Sequence, residues 1–476
     1  MKDKGVRRKK MTKGIVVAGL SGGSGKSVVA VGLVAAYAAK GRKVAPYKKG
    51  PDYIDAGWLQ LAAKRPCYNL DPYLMDMEVI SNSFGLHSED AEIAIIEGNR
   101  GLFDGVNIEG HFSTAELSYH LRLPVLLVVD CTKMTRTVAA LVLGCQKLDP
   151  RVMIRGVVLN RLGTARHETI VRQSVESYTG IPVVGALPRS SLDIFPQRHL
   201  GITPHQEHDS ADQGVKILAD MAAEYLDLEK IESILADVSL SVGEIKRRGK
   251  GIFSSKVRIG ILKDAAFQFY YPENLDALVQ EGADLIEINA MTAERLPDID
   301  ALYIGGGFPE TSAGRLADNR AFRLSVKHAA DIGLPIYAEC GGLIYLGESI
   351  ILEGREYPLV GVFPVRFGLH KKPQAHGYTE LKANIRNPFY EVGERIKGHE
   401  FRYSTVRSWG GTSSRLVFEM QRGVGFQERK DGLLYKNVLA LYTHIHALAT
   451  PQWAPNFVAR AVAFKHGGGT QFQGKN

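Results

Sequence analysis

Gly14-Ile-Val-Val-Ala-Gly-Leu-Ser-Gly-Gly-Ser-Gly-Lys-Ser27 decides the fold of the first half of the chain. An apolar run of strand length ends at Gly19, a glycine-rich loop follows, and Lys26-Ser27 opens a helical pattern over residues 28–39. Gly22, Gly23 and Gly25 let the backbone wrap closely around phosphate oxygens, with several N–H groups turned inward around Ser24. Lys26 supplies charge to the terminal phosphates. Ser27 can ligate Mg²⁺ at the start of a helix whose dipole favours anions. The strict Gly-x4-Gly-Lys-Ser/Thr spacing is not met, because Leu20 stands at the first glycine position and Gly19 lies one residue further out. Strand, loop, Lys-Ser and helix together read as an ATP-binding element.

Outward from this loop, short apolar runs recur between helix-length segments: Ala91-Glu-Ile-Ala-Ile-Ile96, Pro124-Val-Leu-Leu-Val-Val129, Ile154-Arg-Gly-Val-Val-Leu159 and Pro182-Val-Val-Gly185. Continuous apolar strands separated by helices call for a parallel sheet covered on both faces. A second such series starts at Val257-Arg-Ile-Gly-Ile-Leu262 and continues through Asp284–Ile288, Ala301-Leu-Tyr-Ile304, Pro335-Ile-Tyr337 and Val438-Leu-Ala-Leu-Tyr442. The expectation is an α/β protein of two doubly wound domains, residues 14–236 and 257–466. A basic flexible extension (1–13), a linker (237–256) and a disordered tail (467–476) complete the division. A length of 476 residues, beyond what one core usually organises, agrees with two domains.

With 45% hydrophobic and 23% charged residues, the composition is that of a globular protein. No stretch approaches the roughly 18 to 20 consecutive apolar residues of a membrane span. Four unpaired-looking cysteines (Cys67, Cys131, Cys145, Cys340) fit a reduced, cytoplasmic enzyme. The net charge of +8 suits ATP and a polyanionic small substrate as well as it suits nucleic acid, for which no binding motif is present. No nucleic-acid or membrane partner is expected, and the chain is read as a monomer or homodimer.

Carboxylates near the loop supply hard oxygen ligands for nucleotide-borne Mg²⁺. Asp52 and Asp55 lie in Lys48-Lys-Gly-Pro-Asp-Tyr-Ile-Asp55, and Glu97 directly follows an apolar run. Asn160, at another strand end, can pair with an adenine edge. Far downstream, Tyr337-Ala-Glu-Cys-Gly-Gly342 reads as a sharp turn that exposes a nucleophilic Cys340 at a helix start. The Gly305-Gly-Gly-Phe-Pro-Glu310 loop can aim an N–H, that of Gly306, at an oxyanion together with the N–H of Gly341. Tyr442-Thr-His-Ile-His446 offers His444 as the base.

These residues carry a resemblance. The chain resembles cobyrinate a,c-diamide synthases over residues 14 to 465, through Lys49-Gly-Pro-Asp-Tyr-Ile-Asp55, Glu97-Gly with Gly101-Leu-Phe-Asp-Gly105, Arg198-His-Leu-Gly201, Asp264-Ala-Ala-Phe with Tyr270-Tyr-Pro-Glu-Asn274, Gly305–Glu310, Ala338-Glu-Cys-Gly-Gly342 and Gly398-His-Glu-Phe401. Its glycine loop is similar to that of dethiobiotin-synthetase-like ATPases. The resemblance implies a P-loop synthetase domain fused to a class I glutamine amidotransferase domain of flavodoxin-like fold. Cys340 would attack glutamine, His444 would shuttle protons, and the ammonia would pass internally to the synthetase site. There ATP would phosphorylate an acetate carboxylate of a tetrapyrrole-derived macrocycle. By position, Lys26 and Ser27 would hold phosphates and Mg²⁺, Asp52 and Glu97 would be metal partners, and Tyr53 and Asp55 would lie towards the macrocycle. Many class I glutaminases carry His-Pro-Glu, whose glutamate orients the imidazole; here His446 stands at that glutamate's position. The glutaminase then rests on a Cys–His dyad, with His446 an alternative base. Residues Trp58–Ala63 and Arg65–Asp71 also resemble relatives that amidate sirohaem or nickel sirohydrochlorin. A DNA-partitioning ATPase is the reading from another class, and it leaves Cys340 without a role.

Overall fold

A computed structural model describes residues 11–189, 197–198, 201–208, 210–238 and 256–467. The first ten residues of the expected extension, residues 239–255 of the expected linker, residues 468–476 of the expected tail, and His199-Leu200 lie outside these. The chain divides into two compact units, Met1–Ile245 and Lys246–Asn476.

In the first unit, seven strands run parallel: β1 (Lys13–Gly19), β2 (Val44–Lys49), β3 (Tyr68–Leu70), β4 (Ile93–Glu97), β5 (Val125–Asp130), β6 (Ile154–Leu162) and β7 (Val183–Pro188). Their order across the sheet is β3-β2-β4-β1-β5-β6-β7, and Ala236–Asp237 adds antiparallel to β1. β2 and β4 are buried at every position, as the covered faces of a parallel sheet require. β2 carries no apolar run because Pro46, Tyr47, Lys48 and Lys49 break the aliphatic signal, and β3 is only three residues long. Helix α1 (Lys26–Ala39) starts directly at the loop and buries Val29, Leu33, Val34 and Tyr37. β1, with β4 on one side and β5 on the other, thus delivers the glycine loop to the middle of the sheet's carboxyl edge, where α/β sheets bind ligands.

The second unit repeats the logic. Ala283–Ile288, Val257–Leu262, Ala301–Ile304, Ile336–Glu339 and Val438–Leu441 lie side by side in that order and run parallel, and Leu433–Tyr435 closes the edge antiparallel. Numbered along the chain, the first four follow the order 2-1-3-4 of flavodoxin-like sheets. Between Ser349 and Ile445 two further sheets of mainly antiparallel strands are built. No long apolar run marks them in the sequence, because buried positions are interrupted by exposed ones along their strands. One of them brings His444–Ile445 against Arg395–Arg402, pairing His399 with His444.

The helix Trp453–Lys465 covers one face of the parallel sheet with an aromatic cluster. Fully buried Trp453 meets Tyr303 at 5.3 Å, Tyr337 at 5.6 Å and Phe457 at 5.8 Å between ring centroids. Trp453→Ala is expected to destabilise the fold by about 3–5 kcal/mol in chemical denaturation. Trp453→Phe should cost less than half as much, because the indole N–H makes no hydrogen bond among the described residues.

Candidate active sites

The phosphate loop is shaped by what grips it. Gly25 sits at φ 96° and Gly23 at φ 74°, both in the left-handed region. Asn160, at the carboxyl end of β6, donates from Nδ2 to the Ser24 carbonyl at 2.9 Å, and its Oδ1 accepts from the Arg161 N–H. Read from sequence as an adenine partner, this amide here braces the loop. It lies so close that any Cβ on Gly25 would fall deep inside its contact distance. Lys26 caps the Ser21 carbonyl at 3.0 Å, and burial lowers its pKa while Glu97 counters part of that effect.

Next to the loop lies a buried charge cluster. The Ser27 hydroxyl donates to Glu97 Oε1 at 2.7 Å and lies 3.4 Å from Asp55 Oδ1. Lys48, from the end of β2, reaches Asp55 at 2.8 Å, Glu97 at 3.1 Å and the Gly98 carbonyl at 3.1 Å. Burial, then the nearby Asp55 charge, lifts Glu97 to a pKa of about 7, and the same two influences lift Asp52 to about 6. Burial disfavours the Lys48 charge, yet Asp55 and Glu97 together raise its pKa. Glu97 and Ser27, both read as metal partners, are brought into contact. Asp55, expected towards the macrocycle, stands against Ser27, while Asp52 turns back to accept the Asp55 N–H at 2.9 Å. Tyr53 sits half-buried just before helix α2 (Ile54–Ala63). Lys48 escaped sequence reasoning. It stands one residue from the end of β2, and nothing near it in the chain names Glu97 as its partner.

In the second unit, Cys340 stands between the strand Ile336–Glu339 and the short helix Gly341–Tyr345. Its backbone is held at φ 46°, ψ −96°, a conformation that a non-glycine residue adopts only under constraint. The constraint is visible: Cys340 N–H donates to the Leu441 carbonyl at 2.8 Å, extending the parallel ladder into the turn. The Cys340 Sγ approaches the Phe401 carbonyl at 3.9 Å, and the side chain also interacts with His444. Burial disfavours the His444 cation, but Cys340 and Glu339 outweigh it and raise the imidazole to a pKa of about 10. Gly306 and Gly341 fall beside these groups. A Cβ on Gly306 would collide with the His444 ring, and one on Gly341 would come within 3.0 Å of the Gly307 N and O. His446 turns elsewhere: its Nε2 lies 3.5 Å from Glu273, and its ring packs 4.7 Å from that of Tyr271.

One site can cradle phosphates and a hard cation; the other can form and hydrolyse a thioester. Together they define the class as a carbon–nitrogen ligase that takes its nitrogen from glutamine. Residues 15–202 match the CobQ/CobB/MinD/ParA nucleotide binding domain, and residues 258–452 match the CobB/CobQ-like glutamine amidotransferase domain. The cobyrinate a,c-diamide synthase of Magnetococcus marinus is 41% identical over 442 residues, covering 92% of this chain and 94% of its own. That of Archaeoglobus fulgidus is 38% identical and covers 95% of this chain and 98% of its own. That of Methanothermobacter thermautotrophicus is 37% identical, covering 94% and 100%. The chain belongs to the cobyrinate a,c-diamide synthase family.

Gly25→Ala is expected to weaken ATP binding by about tenfold or more, since it meets both a positive φ and the Asn160 amide; calorimetric titration checks this. Gly306→Ala should lower glutaminase turnover by roughly 10²-fold, because the added methyl displaces His444, while ammonia-dependent turnover stays near that of the unsubstituted chain.

Proposed function

We propose that the chain amidates the a and c acetate carboxylates of cobyrinate, consuming ATP and glutamine. The observation that carries this is the alignment of more than nine-tenths of the chain with synthases of that name, both of its units included.

In the glutaminase unit, the Cys340 sulfur attacks the side-chain amide of glutamine. The oxyanion that forms faces the Gly306 and Gly341 backbone, and His444 passes a proton to the departing nitrogen. Ammonia leaves, and water then cleaves the thioester to release glutamate. In the synthetase unit, a substrate carboxylate takes the terminal phosphoryl group of ATP, giving an acyl phosphate and ADP. Ammonia adds to the acyl carbon and inorganic phosphate departs, leaving the amide. A free carboxylate is a poor electrophile at neutral pH, so the phosphoryl group supplies the leaving group that nitrogen needs.

The donor set beside the loop fits Mg²⁺. Ser27, Glu97 and Asp55 offer only hard oxygens, and the Glu97 Oε2 is buried without a hydrogen-bond partner among the described residues. Ser27 and Glu97 would hold the ion, with Asp55 or Asp52 as a further carboxylate, and when bound it neutralises charge on the transferred phosphoryl group. Lys48 keeps these carboxylates paired, and Lys26 with the loop N–H groups binds phosphate. Tyr53 is assigned to the macrocycle.

The test is mass spectrometry after incubation with ATP, Mg²⁺ and glutamine, with cobyrinate, sirohaem and nickel sirohydrochlorin in parallel. Two successive replacements of OH by NH₂ on cobyrinate, and none on the other rings, are expected. Product from either other ring instead would reassign the substrate. Cys340→Ala should abolish glutamine-dependent product by roughly 10³-fold or more yet leave ammonia-dependent product. Lys26→Ala should lose both. A folded Cys340→Ala protein inactive with ammonia would contradict separate roles for the two units.

A further inference from the structure

Glutaminases of this class usually place the acid that orients their histidine two residues after it, where this chain has His446. The structure puts a carboxylate against His444 from another direction. Glu339, the residue immediately before the nucleophile, is fully buried, and its Oε2 lies 3.4 Å from His444 Nδ1. The rest of its carboxyl is held in place. Ile445 N–H approaches Oε1 at 3.3 Å, and the Tyr303 hydroxyl approaches Oε2 at 3.4 Å. Tyr303 is itself fixed by Asn274, whose amide also binds the Ile445 carbonyl and the Ala447 N–H.

Neighbouring residues on a strand point to opposite faces, so Glu339 and Cys340 should not both reach one imidazole. The turn at φ 46° removes that restriction by breaking the alternation between them. With Nδ1 against Glu339, the ring's other nitrogen is left to serve the Cys340 sulfur. Among the groups packed on this ring, Glu339 supplies the carboxyl group: burial raises its pKa, while the hydrogen bond and charge of His444 pull it back down. His399, from Arg395–Arg402, stacks on the ring at 4.9 Å and is held neutral by burial.

We infer that Glu339 is the positioning residue of this glutaminase, orienting His444 and stabilising its protonated form from the nucleophile's own strand. The dyad expected from the missing glutamate is thereby completed as a triad of different chain order. This rests on the glutaminase reading of Cys340 and His444.

Glu339→Gln keeps the shape but removes the charge and puts an N–H donor in place of one acceptor oxygen, as do neutral replacements of triad acids elsewhere. The expected result is a loss on the order of 10²–10⁴-fold in glutaminase kcat with little change in KM for glutamine. Ammonia-dependent amidation should stay within about twofold of the unsubstituted chain. The pH profile for alkylation of Cys340 by iodoacetamide should move to higher pH, because the imidazolium that supports the thiolate has lost its counter-charge. A purely structural role would not move that profile. Should Glu339→Gln fail to fold, Glu339→Asp decides: it keeps the charge but withdraws it by one methylene, and a tenfold or larger fall in kcat, at roughly constant KM, is expected. Glutaminase kcat within about threefold of the unsubstituted chain in the folded variant would overturn the inference alone. Absence of any glutaminase activity from the unsubstituted chain would overturn the reading beneath it.

Discussion

Parallel strands can be joined only by crossovers that carry the chain back over a face of the sheet, so every strand in such a sheet ends at the same edge. Both units of this protein depend on that constraint. At the first edge it gathers the glycine loop from β1, Lys48 from β2, Glu97 from β4 and Asn160 from β6, residues spread over more than a hundred positions. At the second it gathers the Gly305–Gly307 loop, Cys340 and the turn leading to His444. Neither site is made by a single segment. Each consists of strand ends that the sheet order alone has brought together.

Burial of charge then sets the chemistry of each edge. A desolvated ammonium or carboxylate is stable only when it is matched, and the two sites solve this in related ways. Lys48 balances Asp55 and Glu97 beside the phosphate loop. His444 lies between Cys340 and Glu339 beside the thiol turn. In both places a cation is enclosed by two groups able to carry negative charge, and the pairing holds the reactive group in a defined state before any substrate arrives.

The parts legible in the sequence were those with strong local signals: the glycine loop, the long aliphatic strands, Glu97 at a strand end, and the glycine-flanked cysteine. What escaped notice had no local signature. Lys48 looks like any strand-end lysine until Glu97, 49 positions on, is folded against it. Glu339 sits in plain view beside Cys340, yet strand alternation argues that it faces away, and only the observed turn reverses this. The mainly antiparallel sheets between Ser349 and Ile445 leave no such mark, because their strands interrupt buried positions with exposed ones and draw stability from cross-strand partners rather than from continuous apolar runs. Asn160 was recognised as a strand-end amide, but which partner it would choose depends on the loop it faces.

The Asn160–Ser24 contact spans 136 residues, and Gly25 is shaped to receive it. Residues 19–27 alone are therefore insufficient to fix the phosphate loop in this form. Its closing partner arrives only after β6 has docked beside β5, which needs nearly two-thirds of the first unit. The loop's own residues are made early, but the contact that closes it waits for residue 160. A chain halted before β6 therefore carries every residue of the loop without the amide that braces it.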